Sequence, residues 1–133
     1  SEAVERLFEQ APFVLVSRLG AVEIYSVLAG KVRTGILSEI DAEIARRRFR
    51  TDVRRKRIRV IALRNRHYEL AANLIEKHGN IQGLRTLDSL QLAVAVDLAQ
   101  NGLVDSFVTA DEVLGRVAAL ENLEVLDPEA GAS

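Results

Sequence analysis

The stretch Pro12-Phe13-Val14-Leu15-Val16-Ser17-Arg18-Leu19-Gly20-Ala21-Val22-Glu23 decides the fold class. Pro12 interrupts any preceding helix, and the four apolar residues from Phe13 to Val16 read as a buried strand. Ser17 is then a natural N-cap, so a helix follows at once, from about Arg18 to Val32. A strand that is apolar at every position, rather than alternating, is covered on both faces, as in parallel sheets flanked by helices.

The same grammar repeats downstream. Thr34-Gly35 ends the helix, and Ser38 with Asp41 forms a capping signature for another helix, running to about Arg57. Arg59 to Leu63 reads as a strand. Asn65 caps a helix that should stop at His78-Gly79, with glycine at the usual stop position, before a loop from Gln82 to Arg85. Thr86 caps a helix ending at Asn101-Gly102. Ser106 to Thr109 is a strand, Asp111 to about Leu120 a short helix, and Leu123 to Leu126 a last strand closed by Asp127-Pro128. Upstream, the helical spacing of Val4, Leu7 and Phe8 predicts a helix from Ser1 to about Gln10. This alternation predicts an α/β fold, a three-layer α/β/α sandwich with a mostly parallel sheet. A chain of 133 residues should form one domain, here over residues 1–128, with a tail at 129–133.

Composition narrows the chemistry. The chain has no cysteine, which excludes disulfides and thiolate metal sites, and His67 and His78 are its only histidines. A metal, if used, would be held by oxygen ligands, which favours a hard cation such as Mg²⁺ or Mn²⁺. No apolar run is long enough to span a membrane, no signal-peptide pattern is visible, and the expected location is cytoplasmic. No glycine-rich phosphate loop is present. His67 and His78 have no nucleophile near them in the sequence and are expected to serve packing or lie on the surface.

Charge is unevenly spread. Residues 46–59 hold nine basic residues against one acidic, a net +8 in a chain of net −1, so the remainder carries −9. Such a segment implies an anionic partner, either RNA phosphates or an acidic protein, or else a solvated helix face.

Three carboxylates stand in apolar surroundings. Glu23 is the only charged residue between Leu19 and Gly30. Asp88 opens the run Leu87-Asp88-Ser89-Leu90-Gln91-Leu92-Ala93-Val94-Ala95-Val96, and Asp111 follows Phe107-Val108-Thr109-Ala110. A carboxylate among apolar residues is costly unless it is paired, hydrogen-bonded or bound to a metal. Each also has a plain structural role open to it. Asp111 can cap a helix, Asp88 can complement a helix dipole, and Glu23 can pair with an arginine. In parallel α/β sheets, however, ligands bind beyond the carboxyl ends of the strands. Acidic groups converging there would repel one another unless a divalent cation neutralised them.

The segments Ser17-Arg18-Leu19-Gly20-Ala21-Val22-Glu23, Arg85-Thr86-Leu87-Asp88-Ser89-Leu90-Gln91-Leu92-Ala93 and Phe107-Val108-Thr109-Ala110-Asp111 resemble, in order, the motifs of PIN-domain ribonucleases. The resemblance is strongest to VapC-type toxins of toxin–antitoxin pairs and covers nearly the whole chain. It implies Mg²⁺- or Mn²⁺-dependent hydrolysis of RNA phosphodiesters, with Glu23, Asp88 and Asp111 as catalytic, metal-binding carboxylates. Thr109 would orient the site through its hydroxyl. Arg85, close to Asp88 in the sequence, can meet substrate phosphate, pair with a site carboxylate, or form a structural ion pair. RNA, an antitoxin protein and a second copy of the chain are the implied partners. The alternative is a catalytically inactive PIN-like module that binds RNA or protein through residues 46–59.

One feature of the family has no counterpart here. Its first strand, in the middle of the sheet, carries a further essential aspartate. Ser1 is not a translation start in a chain without methionine, so that strand is expected upstream of Ser1 or from another copy, and the chain alone is expected to be poorly active.

Overall fold

Ser17 does two jobs: it is the last residue of β1 (Val14–Ser17), and its hydroxyl accepts a hydrogen bond from the Gly20 N–H at 2.9 Å, capping α1 (Arg18–Arg33). Ser38 repeats the device for α2 (Glu39–Arg54), accepting from the Asp41 N–H at 3.0 Å. β2 (Ile58–Ile61), α3 (Asn65–Gln82), α4 (Thr86–Gln100), β3 (Ser106–Val108), α5 (Glu112–Leu120) and β4 (Glu124–Leu126) follow. This computed structural model describes residues 14–127; the expected helix from Ser1 to Gln10, Phe13 of the first expected strand, and the tail at 129–133 lie outside them. The architecture is α/β. The described strands form two parallel pairs, β1 with β2 and β3 with β4, in the registers Val14↔Ile58 and Ser106↔Glu124.

The described chain divides into two units, residues 14–62 and residues 63–127. In the first, α1 and α2 pack on each other and on the β1–β2 pair. This unit buries little: α1 has no buried residue, and α2 has only Ala42. Val22, Val27, Ile36, Ile40 and Ile44 stay exposed.

The second unit holds a denser core. Leu74, Leu92, Val96, Leu114, Val117 and Leu123 are buried together, and Phe107 and Val125 pack on them. Each fully buried Leu or Val contributes about 1.5–3 kcal/mol. Two buried imidazoles join the helices around this core. His67 Nε2 lies 2.8 Å from Asp97 Oδ2, linking α3 to α4, and His78 Nε2 lies 2.7 Å from Glu121 Oε2, linking α3 to the end of α5. Both histidines therefore serve packing.

Helix ends differ from expectation at several places. α2 stops at Arg54, not Arg57, in a Schellman turn: Arg57 N–H bonds Asp52 O, Lys56 N–H bonds Val53 O, and Lys56 takes the left-handed φ of 61°. The basic run disguised this stop because no glycine marks it. α3 passes through Gly79 and ends at Gln82, with Gly83 at φ 73° as its cap. Stopping there seats Leu84 in the core, 5 % exposed. The starts of α3 and α4 lie one residue earlier than read, with Arg64 and Arg85 as N-caps in place of Asn65 and Thr86.

Candidate active site

Glu23 lies mid-way along α1 and is half-buried. Among the described residues it has no hydrogen bond or ion pair, although the arginine-rich α2 packs on the same helix. The salt bridge that would have explained it structurally is therefore not made within that range. At 100° per residue, Glu23 sits about 150° around α1 from the face carrying Arg18, Ala21, Val22 and Tyr25.

Asp111 is the N-cap of α5, and its Oδ1 accepts from the Leu114 N–H at 2.9 Å. Thr109 stands beside it: the Thr109 hydroxyl oxygen accepts from the Asp111 N–H at 3.1 Å, and the Thr109 N–H donates to Leu126 O at 3.0 Å. The strand end thus fixes the threonine, and the threonine fixes the backbone of the aspartate. The cap uses one oxygen of an exposed carboxylate, so capping and ligand binding are compatible in this residue.

Asp88 is half-buried in the first turn of α4, where the helix dipole favours a negative charge. Beside it Ser89 is fully buried, its hydroxyl donating to Thr86 O at 2.6 Å. One turn further, the buried Nε2 of Gln91 has no acceptor among the described residues. Sequence reading passed over Gln91, and the signal was there: a lone amide within Leu90-Gln91-Leu92. Arg85, at the mouth of α4, is exposed and has no ion pair among the described residues.

The perturbed carboxylates lie elsewhere. Burial acts most strongly on Asp97 and would raise its pKa. The hydrogen bonds from His67 and Arg66, with the charge of Arg66, outweigh that and hold it below its ordinary value. Burial likewise opposes ionisation of Glu121, and His78 and Lys77 hold its pKa down. His67 Nδ1 accepts the Arg64 N–H at 2.8 Å, so Nε2 carries the ring proton and donates to Asp97. These pairs staple helices and leave no free acid or base.

Glu23 belongs to the unit of residues 14–62, and Asp88 and Asp111 to that of residues 63–127. Among the described residues no group of three or more His, Asp or Glu forms a candidate metal site. The donor chemistry nevertheless fits a hard divalent cation: carboxylate oxygens only, one of them, Glu23, without a cation among the described residues. No helix among the described residues is long and apolar enough to cross a membrane. Residues 1–120 match the PIN domain family. No curated protein and no solved structure matches the chain.

Proposed function

The chain belongs to the PIN domain family, whose members are generally nucleases using divalent metal ions, and on that premise we propose that it is a Mg²⁺- or Mn²⁺-dependent endoribonuclease, the toxin of a toxin–antitoxin pair. The observation that carries this reading is Glu23, a half-buried carboxylate with no cation beside it among the described residues. An uncompensated carboxylate in that setting lowers stability, and a bound cation would offset the cost. Glu23, Asp88 and Asp111 would hold the metal, which when bound supplies an activated water and charge stabilisation on the phosphoryl oxygens. Thr109 would fix the direction of Asp111, as its hydroxyl already fixes the backbone there. Arg85 would donate to phosphate oxygens. The same reading implies the complete three-layer sandwich, an antitoxin that covers the toxin, and pairing of two copies through the exposed isoleucines of α2.

The test is hydrolysis of single-stranded RNA by the full-length protein, with Mg²⁺ or Mn²⁺ and with chelator. Internal cleavage that needs the metal and is lost in Glu23→Gln, Asp88→Asn and Asp111→Asn is expected. Metal-independent cleavage, or full activity in all three variants, would reject the reading.

A further inference from the structure

A groove of about 420 Å³ lies between α1 and α2, lined by Arg18, Val22 and Tyr25 from one helix and by Phe49, Arg50 and Val53 from the other. Its aromatic floor is organised. The Tyr25 and Phe49 rings meet edge to face, with centroids 5.8 Å apart and planes at 84°. The Arg50 guanidinium carbon stands 5.8 Å from the Tyr25 centroid, within cation–π range.

A row of cations runs past this groove. Arg46, Arg50 and Arg54 recur at every fourth residue of α2, so they stand about 6 Å apart along one face of the helix. Arg47 flanks the row. Glu43 pairs with both Arg46, at 2.9 Å, and Arg47, at 3.2 Å, so one carboxylate is shared between two guanidiniums at one end. Arg54 donates to the Thr51 hydroxyl at 3.2 Å. The row therefore keeps a net positive charge; Arg46 already donates through Nε and Nη2 to Glu43, whereas the fork of Arg50 makes no hydrogen bond among the described residues and can meet phosphate oxygens in pairs.

We propose that this row and groove form a docking surface for single-stranded RNA, separate from the carboxylate site. Phosphates lie along Arg46, Arg50 and Arg54, and a base enters the groove against Tyr25. A ligand with regularly repeated anions and flat rings matches both features. An acidic polypeptide would match the arginines alone and leave the aromatic floor without a purpose. The Tyr25 face of α1 lies about 150° from Glu23, so the groove does not hold the scissile phosphate but grips the strand at a second point. The choice of RNA rests on the nuclease reading; the surface itself rests on the groove and the arginine row.

The experiment measures binding of a labelled single-stranded oligouridylate to the full-length protein by fluorescence anisotropy, in chelator, across a range of KCl. The triple variant Arg46→Gln, Arg50→Gln, Arg54→Gln should reduce the slope of log affinity against log salt by about 2, near 0.7 for each lost phosphate contact. Tyr25→Ala should weaken binding about fivefold or more, and Tyr25→Phe, which keeps the ring, should restore it. Circular dichroism checks that each variant is folded. An unchanged slope in a folded triple variant overturns the surface, as does a triple variant that loses binding to labelled polyglutamate, measured in the same way, while its RNA binding stays intact. RNA binding that needs the row, in a protein without metal-dependent cleavage, supports the surface and removes the nuclease reading. Cleavage with an unchanged slope overturns the surface alone.

Discussion

The hydroxyl of Thr109 accepts the backbone N–H of Asp111 at 3.1 Å, while the Asp111 carboxylate accepts the N–H of Leu114 at 2.9 Å. Two side chains two residues apart thus convert the end of β3 into the start of α5 and hold the aspartate at the junction. Two roles of Asp111, structural and chemical, can be separated. Asparagine caps a helix about as well as aspartate, so Asp111→Asn should leave the melting temperature almost unchanged and abolish cleavage. Asp111→Ala should abolish cleavage and also cost about 0.5–2 kcal/mol of stability. Thr109→Val, which keeps shape but removes the acceptor, should lower the rate less than either. Thermal melts with RNA cleavage assays on the three variants check this.

Glu23 should behave in the opposite way to a structural ion pair. Since no partner among the described residues depends on it, Glu23→Gln should unfold at the same or a higher temperature than the parent without metal. Added Mn²⁺ should raise the melting temperature of the parent more than that of the variant. A marked fall in metal-free stability would show that Glu23 has a structural partner instead.

Acid stability should depend on Asp97 and Glu121. Both are held below their ordinary values, 3.8 and 4.5, in the folded protein. A depressed folded pKa means that the stabilisation is fully present above the ordinary value and fades as pH falls through the folded one. The contribution should therefore be complete at neutral pH, begin to fade only as pH approaches those ordinary values, and be lost as pH falls through the lower folded ones. Asp97→Asn and Glu121→Gln should lower stability at pH 7 and flatten the acid limb of a melting-temperature profile. Asp97→Ala, which leaves buried His67 without its acceptor, should cost about 1–3 kcal/mol.

Lys56 and Gly83 hold equivalent left-handed positions with opposite residue choices. Lys56→Gly removes the Cβ penalty at φ 61° and should stabilise the protein by about 0.5–1 kcal/mol. Gly83→Ala introduces that penalty at φ 73° and should destabilise it by at least as much. Gly79 is helical, so alanine gains helix propensity there, while its Cβ would meet Ile75 Cγ2 at 3.1 Å and offset part of that gain; Gly79→Ala should change stability less than Gly83→Ala. Chemical denaturation of the three variants measures the differences.

The sequence by itself determined the order and type of the described elements, because capping and apolar runs are local. Ser17, Ser38 and Asp111 each accept a hydrogen bond from three residues ahead, and their chemistry is visible without the fold. It also singled out Glu23, Asp88 and Asp111 as candidates, since a charge inside an apolar run stands out before any coordinate is known. Helix ends were decided by tertiary structure. Gly79 and Gly83 are equally good stop residues locally, and burial of Leu84 selects the second. Lys56 closes α2 because β2 must begin at Ile58 in register with Val14, and pairing of the strands outweighs the cost of a non-glycine left-handed turn. Only the fold could give the buried histidines their partners, at 30 residues' separation for His67 and Asp97 and 43 for His78 and Glu121. Local rules reach three or four residues along the chain. These pairings arise only when packed helices bring distant residues together.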